Sequence, residues 1–181
     1  MYKINVQQVN AGILRTVPKN SSPDYDHLLL DRQLCFALHA ASRAVVREYT
    51  PLLSELGLTY PQYVTLMVLW QEPERARSVG ELGEAVHMDS GTLTPLLKRL
   101  ERDGLVTRSR DHTDERRVNV KLTAAGLALR ERATSVPRAM AERFGLTIDE
   151  MRQLKTQLER LTSTLAAADS SASSSEAAPA N

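Results

Sequence analysis

Apolar residues recur at helical spacing along most of the central chain and switch to strict alternation in one short stretch. From Leu28 to about Tyr49 the positions Leu34, Leu38, Ala41 and Val45 form a stripe of three- and four-residue steps, the period of an amphipathic helix. Pro51 disfavours helix at Thr50 and predicts a break there, followed by a short helical turn through Leu56 that Gly57 stops. Thr59-x-x-Gln62 has the form of a capping box and opens a helix formed by Val64, Met67, Val68 and Trp70. Ser78-x-x-Glu81 opens a short helix with Val79, Leu82 and Val86 inward. Asp89 caps the next, from Ser90 to about Asp103, which Gly104 ends.

The texture then changes. Leu105–Arg110 and Arg117–Leu122 alternate with period two around the polar run Asp111-His112-Thr113-Asp114-Glu115, which predicts a two-stranded hairpin. Helix resumes after Thr123 with Leu127, Leu129 and Ala133 and breaks near Pro137. It restarts at the box Thr147-x-x-Glu150, carrying Met151, Leu154, Leu158, Leu161 and Leu165. The expected fold is all-α with a small β-hairpin wing, a winged helix-turn-helix flanked by helices. Residues 1–23 read as a flexible leader and residues 167–181 as a disordered Ala/Ser-rich tail. The domain between them, 24–166, has helical segments at 25–71 and 124–166 around a centre at 78–122.

Composition narrows the class. Hydrophobic residues make up 42% of the chain and aromatics only 4%, so the core must rest on Leu, Val, Ala and Met. That favours helices over aromatic-rich strands. No apolar run approaches the roughly 18–20 residues that span a bilayer. Met1–Arg15 lacks the apolar region of a signal peptide, so a cytoplasmic location is expected, with no membrane partner. The single cysteine excludes an internal disulfide framework and a Cys-rich zinc site. His27, His39, His87 and His112 are scattered without metal-ligand spacing, so neither a metal nor another cofactor is expected. Neither a Gly-x-Ser-x-Gly elbow nor a phosphate loop is present, and no enzymatic role is expected.

A net charge of +1 decides nothing, because a DNA-binding protein need be basic on one face only. Two helices joined by a short turn at His87-Met88 have the form of a helix-turn-helix, whose second helix enters the major groove. Groove entry needs small or hydrogen-bonding side chains at that helix's start, and here stand Ser90, Gly91, Thr92 and Thr94. Leu93, Leu96, Leu97 and Leu100 form its inward face, with Lys98 and Arg99 farther along where phosphates would lie. The hairpin adds Arg108, Arg116 and Arg117, placed to meet phosphates or a minor groove, with Asp114 two residues before Arg116 as its brace. The competing reading is a helical core with a solvated charged hairpin.

The stretch Asp89-Ser90-Gly91-Thr92-Leu93-Thr94-Pro95-Leu96-Leu97-Lys98-Arg99-Leu100-Glu101 resembles the recognition helix of the MarR family. Asp114-Glu115-Arg116 followed by Leu122-Thr123 resembles that family's wing signature. The resemblance covers roughly residues 25–166. It implies a homodimer built from the N- and C-terminal helices and bound to a pseudo-palindromic operator in double-stranded DNA. Recognition helices would lie in successive major grooves, with wings at the adjacent minor grooves. The Leu154/Leu158/Leu161/Leu165 stripe independently offers a dimer seam, the alternative being that it packs within its own chain.

On an ideal helix Cys35, His39, Ser42, Val46 and Tyr49 share one face, beside the apolar stripe. A lone thiol is either a small buried hydrophobe or a reactive group. Tyr49 and Tyr60 follow closely enough in sequence to donate hydrogen bonds to a thiolate. The runs Leu34–Arg43 and Leu58–Tyr63 resemble the OhrR-like organic-hydroperoxide sensors within the MarR family. That resemblance implies that Cys35 is the peroxide-sensing residue, with Tyr49 and Tyr60 as its hydrogen-bond partners. Some relatives carry a tyrosine where His39 stands. Cys35 and Tyr49 are fourteen residues apart, about 21 Å along a continuous helix, so a symmetric partner would have to bring them together. Two-cysteine relatives form an intersubunit disulfide with a resolving cysteine near the C-terminal region, and this chain has no such second cysteine. Oxidation would then end in a mixed disulfide with a low-molecular-weight thiol, a sulfenamide or over-oxidation. The rivals are a MarR-type repressor released by a small phenolic or lipophilic ligand, and a thiol peroxidase.

Overall fold

The computed structural model describes residues 23–175 apart from His112 and Glu115. The expected leader, except Pro23, and the last residues of the expected tail, 176–181, lie outside the described residues. The chain divides into two compact units, residues 1–47 and 48–181.

In the first unit two 3-10 turns, Pro23–Leu28 and Leu30–Arg32, precede helix α1, Leu34–Ser54, which runs on into the second unit. The expected helix start at Leu28 is therefore corrected to Leu34. Gln33 takes extended backbone, and its side-chain amide donates to the carbonyls of His27 and Leu29, closing the turn instead of continuing a helix. None of this unit's described residues is buried, and Leu34 is 64% exposed. The break expected at Thr50 is also absent, because Pro51 sits inside α1. Pro51 forfeits the hydrogen bond to the Arg47 carbonyl, and continuing the helix past it places Leu53 at 0% exposure in the core.

The second unit carries α2 (Tyr60–Gln71), β1 (Arg77–Ser78), α3 (Val79–Val86), α4 (Ser90–Arg102), β2 (Val106–Arg110) and β3 (Val118–Leu122). It continues with α5 (Ala124–Ala133), α6 (Ser135–Phe144) and α7 (Ile148–Ser175). The sheet has three antiparallel strands in the order β1-β3-β2, not the two expected, since β1 adds Arg77 and Ser78 opposite Val120 and Asn119. The inward face of α2 carries Tyr63, Leu66, Leu69 and Trp70, all buried, while Met67 is exposed. The break between α5 and α6 falls at Thr134, with Pro137 in the first turn of α6, where its missing N–H has no intrahelical partner to lose. Helix α7 continues through Ser175, so the first nine residues of the expected disordered tail, 167–175, are helical.

The core joins Leu53, Leu66, Leu69 and Trp70 to Leu82 of α3, Leu93, Leu97 and Leu100 of α4, Val106 and Val120 of the sheet, and Leu129 of α5. Two glycines permit close approach. A Cβ on Gly83 would lie 2.7 Å from the Met88 carbonyl oxygen, where the helix-turn-helix closes. One on Gly126 would lie 2.0 Å from the Leu105 carbonyl oxygen, and the Gly126 carbonyl accepts the buried Trp70 indole N–H at 2.9 Å. Among the described residues no helix is long and apolar enough to cross a membrane.

Candidate nucleic-acid interface and thiol site

Capping fixes where the second helix of the helix-turn-helix begins. Ser78 Oγ accepts from the Glu81 N–H at 3.2 Å while Glu81 Oε2 accepts from the Ser78 N–H at 2.7 Å, as the capping box predicts. Those hydrogen bonds and nearby Arg75 and Arg117 hold the Glu81 carboxyl below its ordinary pKa. The turn passes through His87 at φ 53°, the left-handed region, and the Met88 N–H reaches back to the Gly83 carbonyl at 2.9 Å. Asp89 then caps α4, accepting the Thr92 N–H and hydroxyl at 2.8 Å each. Those two donors hold its carboxyl below the usual range.

From that start α4 turns one stripe inward and another out. Leu93, Leu96, Leu97 and Leu100 are buried, as the sequence predicts. Ser90, Thr94 and Lys98 follow at four-residue steps on another face, Ser90 and Lys98 exposed and Thr94 half-buried. Arg99 is exposed. Thr92 is exposed too, but its hydroxyl proton is engaged in the cap, leaving its oxygen to accept.

Asp111, not singled out from the sequence, organises the wing. Its carboxylate accepts from the Thr113 N–H at 2.8 Å and hydroxyl at 2.6 Å, the Asp114 N–H at 3.2 Å and Asn119 Nδ2 at 2.8 Å. These donors, the Thr113 hydroxyl first, hold its pKa well below the carboxylate range. Asp114 Oδ1 accepts the Arg116 backbone N–H at 3.0 Å, and its carbonyl accepts the Arg117 N–H at 2.8 Å. The brace thus acts through the main chain of Arg116 and not through its guanidinium. Ser90 and Thr94 of α4, Arg116 and Arg117 of the wing, and Glu81 and Glu84 of α3 line one cleft of about 550 Å³.

Arg108 departs from the expected pattern. Its Nε lies 3.1 Å from Glu101 Oε2, its backbone N–H donates to Glu101 Oε1 at 3.1 Å, and its side chain is only 21% exposed. It faces the recognition helix, half-buried beside Glu101. The signal was in the sequence: Arg108 is two residues from Val106 and therefore in phase with the buried face of β2.

Thr123 explains why Leu-Thr follows the wing. Its hydroxyl accepts the Gly126 N–H at 3.0 Å, capping α5, and donates to the Gly104 carbonyl at 2.7 Å, tying that helix to the end of the recognition helix.

Of the thiol-site candidates, Cys35 is a free, exposed thiol in the first turn of α1. It belongs to the unit ending at Arg47, whereas Tyr49 and Tyr60 belong to the other. The two phenol rings come together at 4.8 Å between centroids, and Tyr63, which sequence reasoning left out of the site, packs in a tilted contact with Tyr49 at 5.9 Å. Burial, then the neighbouring phenols of Tyr60 and Tyr63, pushes the Tyr49 pKa up to about 12, so this phenol stays a proton donor.

A separate apolar groove of about 470 Å³ runs along α7, lined by Phe144, Leu146, Met151, Leu154 and Leu158, with His87 and Lys155 at its polar edge.

A family model described as transcriptional regulator SarA/Rot matches residues 47–131. The chain is 43% identical over 141 residues to the organic hydroperoxide resistance transcriptional regulator of Bacillus subtilis, covering 78% of this chain and 95% of that protein. It is 49% identical over 129 residues to the HTH-type transcriptional regulator TtmR of Methylorubrum extorquens, covering 71% of this chain and 65% of that protein. Among solved structures, reduced AbfR bound to DNA matches with a TM-score of 0.63 at 33% identity, over 78% of this chain and 98% of that one. AbfR, from Staphylococcus epidermidis, has also been solved overoxidised on DNA and with a disulfide formed.

Proposed function

The chain belongs to the MarR family of winged helix-turn-helix transcription regulators, in its organic-hydroperoxide branch, and from that premise we propose that it is a dimeric repressor which releases its operator when Cys35 is oxidised. The observation that carries the DNA part is the cleft into which Ser90, Thr94, Arg116 and Arg117 converge. A helix start with small hydroxyl side chains reads base edges in the major groove, and a wing tip with two exposed guanidiniums reaches the backbone or minor groove beside it. Thr92 offers an acceptor at the same helix start. Lys98 and Arg99 hold phosphates farther along α4, and Asp114 fixes the main chain that presents Arg116. The DNA-bound state of AbfR supports this reading.

Two copies are needed, because one recognition helix reads only half of a two-fold operator. The exposed leucines of α7 and the exposed start of α1 supply apolar surface for that pairing. In the sensing step the Cys35 thiolate attacks a peroxide oxygen of an organic hydroperoxide. The O–O bond breaks, the alkoxide leaves and takes a proton as an alcohol, and the sulfur becomes a sulfenic acid. Tyr49 and Tyr60, whose rings pack together, donate to the sulfur across the dimer. A low-molecular-weight thiol then condenses with the sulfenic acid, forming a mixed disulfide and expelling water. A hundredfold loss of operator affinity requires about 2.7 kcal/mol of coupling.

The α7 groove favours a second reading, in which a small phenolic or lipophilic ligand and not oxidation releases the DNA. Its volume of about 470 Å³ suits such a molecule. A gel-shift assay decides between them, using a duplex from the region immediately upstream of the chain's own gene, with native protein and Cys35→Ser. Cumene hydroperoxide should release the native protein and leave Cys35→Ser bound. Equal release of both, or of neither, contradicts the redox switch. Sustained turnover of the peroxide would instead mark a thiol peroxidase.

A further inference from the structure

Resting on that DNA-binding reading, we propose that Glu101 and Arg108 form a strut that sets the wing against the recognition helix, so that Arg108 positions Arg116 and Arg117 without itself touching DNA. The argument begins with strand phase. Arg108 lies opposite Val120 in the β2–β3 ladder, and residues directly opposite one another present their side chains on the same face. Val120 is 0% exposed and Val106, two residues before Arg108, is 1% exposed, so this is the face turned to the core. Arg108 therefore stands in a row of buried valines, beside the helix that the sheet covers.

Glu101 meets it there from α4. One turn beyond the buried Leu97, it sits at the margin of the inward stripe. Its two carboxylate oxygens are divided between one residue's main chain and side chain: Oε1 takes the Arg108 N–H and Oε2 stands against Nε, each at 3.1 Å. Solvent does not reach that Nε and it makes no hydrogen bond, so its link to Glu101 is an ion pair. A carboxylate that accepts a strand's backbone N–H and stands in ion-pair contact with the same residue's guanidinium holds β2 in position on the helix. The recognition helix and the wing tip are the two parts that must reach one duplex together, and α4 and β2 are joined by only three residues, 103–105. The strut fixes the distance between what α4 presents to the major groove and what the wing presents beside it.

The sign of one substitution separates the strut from a direct phosphate contact. If Arg108 bound phosphate, Glu101→Gln would free its guanidinium and remove a negative charge near DNA, and affinity would rise. As a strut, Glu101→Gln lowers affinity for the upstream duplex about tenfold, and Arg108→Met does the same. The double variant is no weaker than either single one, because the two residues act as a unit. Adding Arg116→Ala to Glu101→Gln then costs little more, since the wing is already displaced. The slope of log K against log salt falls in Glu101→Gln, which has lost no basic residue, by about 0.9 for each wing–phosphate contact abandoned.

Hydrogen exchange on the free full-length protein provides the readout that does not depend on DNA. Glu101→Ala, which removes the acceptor of the Arg108 N–H, should speed exchange of the Arg108 amide and of Thr107–Arg110, leaving the amides of α2 and α5 protected. Tighter binding by Glu101→Gln, unchanged binding by both single variants, or unchanged exchange at Arg108 overturns the strut. If the native protein fails to bind the duplex while the exchange result holds, the DNA-binding reading fails and the joint between α4 and β2 stands.

Discussion

In the recognition helix α4, Leu93, Leu97 and Leu100 are wholly buried, whereas in α7 Leu154, Leu158 and Leu165 remain 47%, 39% and 59% exposed. Both helices carry leucines at the same three- and four-residue steps. The difference lies in what surrounds them. The α4 stripe is closed by α2, α3 and the sheet of its own chain, which complete one core around the helix-turn-helix. The α7 stripe, like Leu34 and Phe36 at the start of α1, is left open to solvent. An apolar stripe is evidence of a packing surface but does not say which chain supplies the other side. Here the centre is finished by intramolecular contacts, and the proposed dimer is what finishes the ends.

That contrast can be broken from either side. Leu97→Ala removes a side chain from the closed stripe and should lower stability by about 3 kcal/mol, read by urea denaturation of the full chain. The same loss for Leu165→Ala at dilution below dimerisation would erase the distinction between the two regions. Leu158→Asp should act on association instead, weakening the dimer at least a hundredfold, about 2.7 kcal/mol, as measured by sedimentation equilibrium. Retention of a tight dimer would move the seam elsewhere. Arg116→Ala leaves both stripes intact and should weaken duplex binding about tenfold across sequences, with a shallower salt dependence. A loss confined to one operator sequence would make Arg116 a base reader.

The smallest effect concerns the wing turn. Hydrogen bonds to its charged form depress the Asp111 pKa below its unfolded value, so the stabilisation it gives is complete above the ordinary value of about 3.9. It is lost as pH falls below that value and through the folded-state pKa. The amides of Thr113 and Asp114 should therefore exchange faster on acidification into that range than the pH dependence of intrinsic exchange explains. Asp111→Asn should show the faster exchange already at neutral pH.

The helix-turn-helix was legible in the sequence because its caps are local chemistry: Ser78 with Glu81, Asp89 with Thr92, and leucines in phase between them. What escaped was decided by partners distant in sequence or by too few residues to show a period. Strand β1 is two residues long and exists only because β3 passes beside it. The run of α1 through Pro51 is favoured by burial of Leu53, a tertiary effect that outweighs a local preference. Arg108 was grouped with the other wing arginines by its charge, and its phase with Val106 is what carries the half-burial beside Glu101. In the candidate thiol site Tyr49 and Tyr60 were singled out as partners for Cys35, not for each other, and Tyr63 in the same ring cluster has no periodic signal that separates it from the core.

The account rests above all on two copies of the chain acting as one reader of DNA. Sedimentation of the full-length protein with the upstream duplex, at micromolar concentration and in reducing buffer, measures this directly. Two chains per duplex are predicted, with a free protein of twice the chain mass. A monomer that binds the duplex one to one would contradict it.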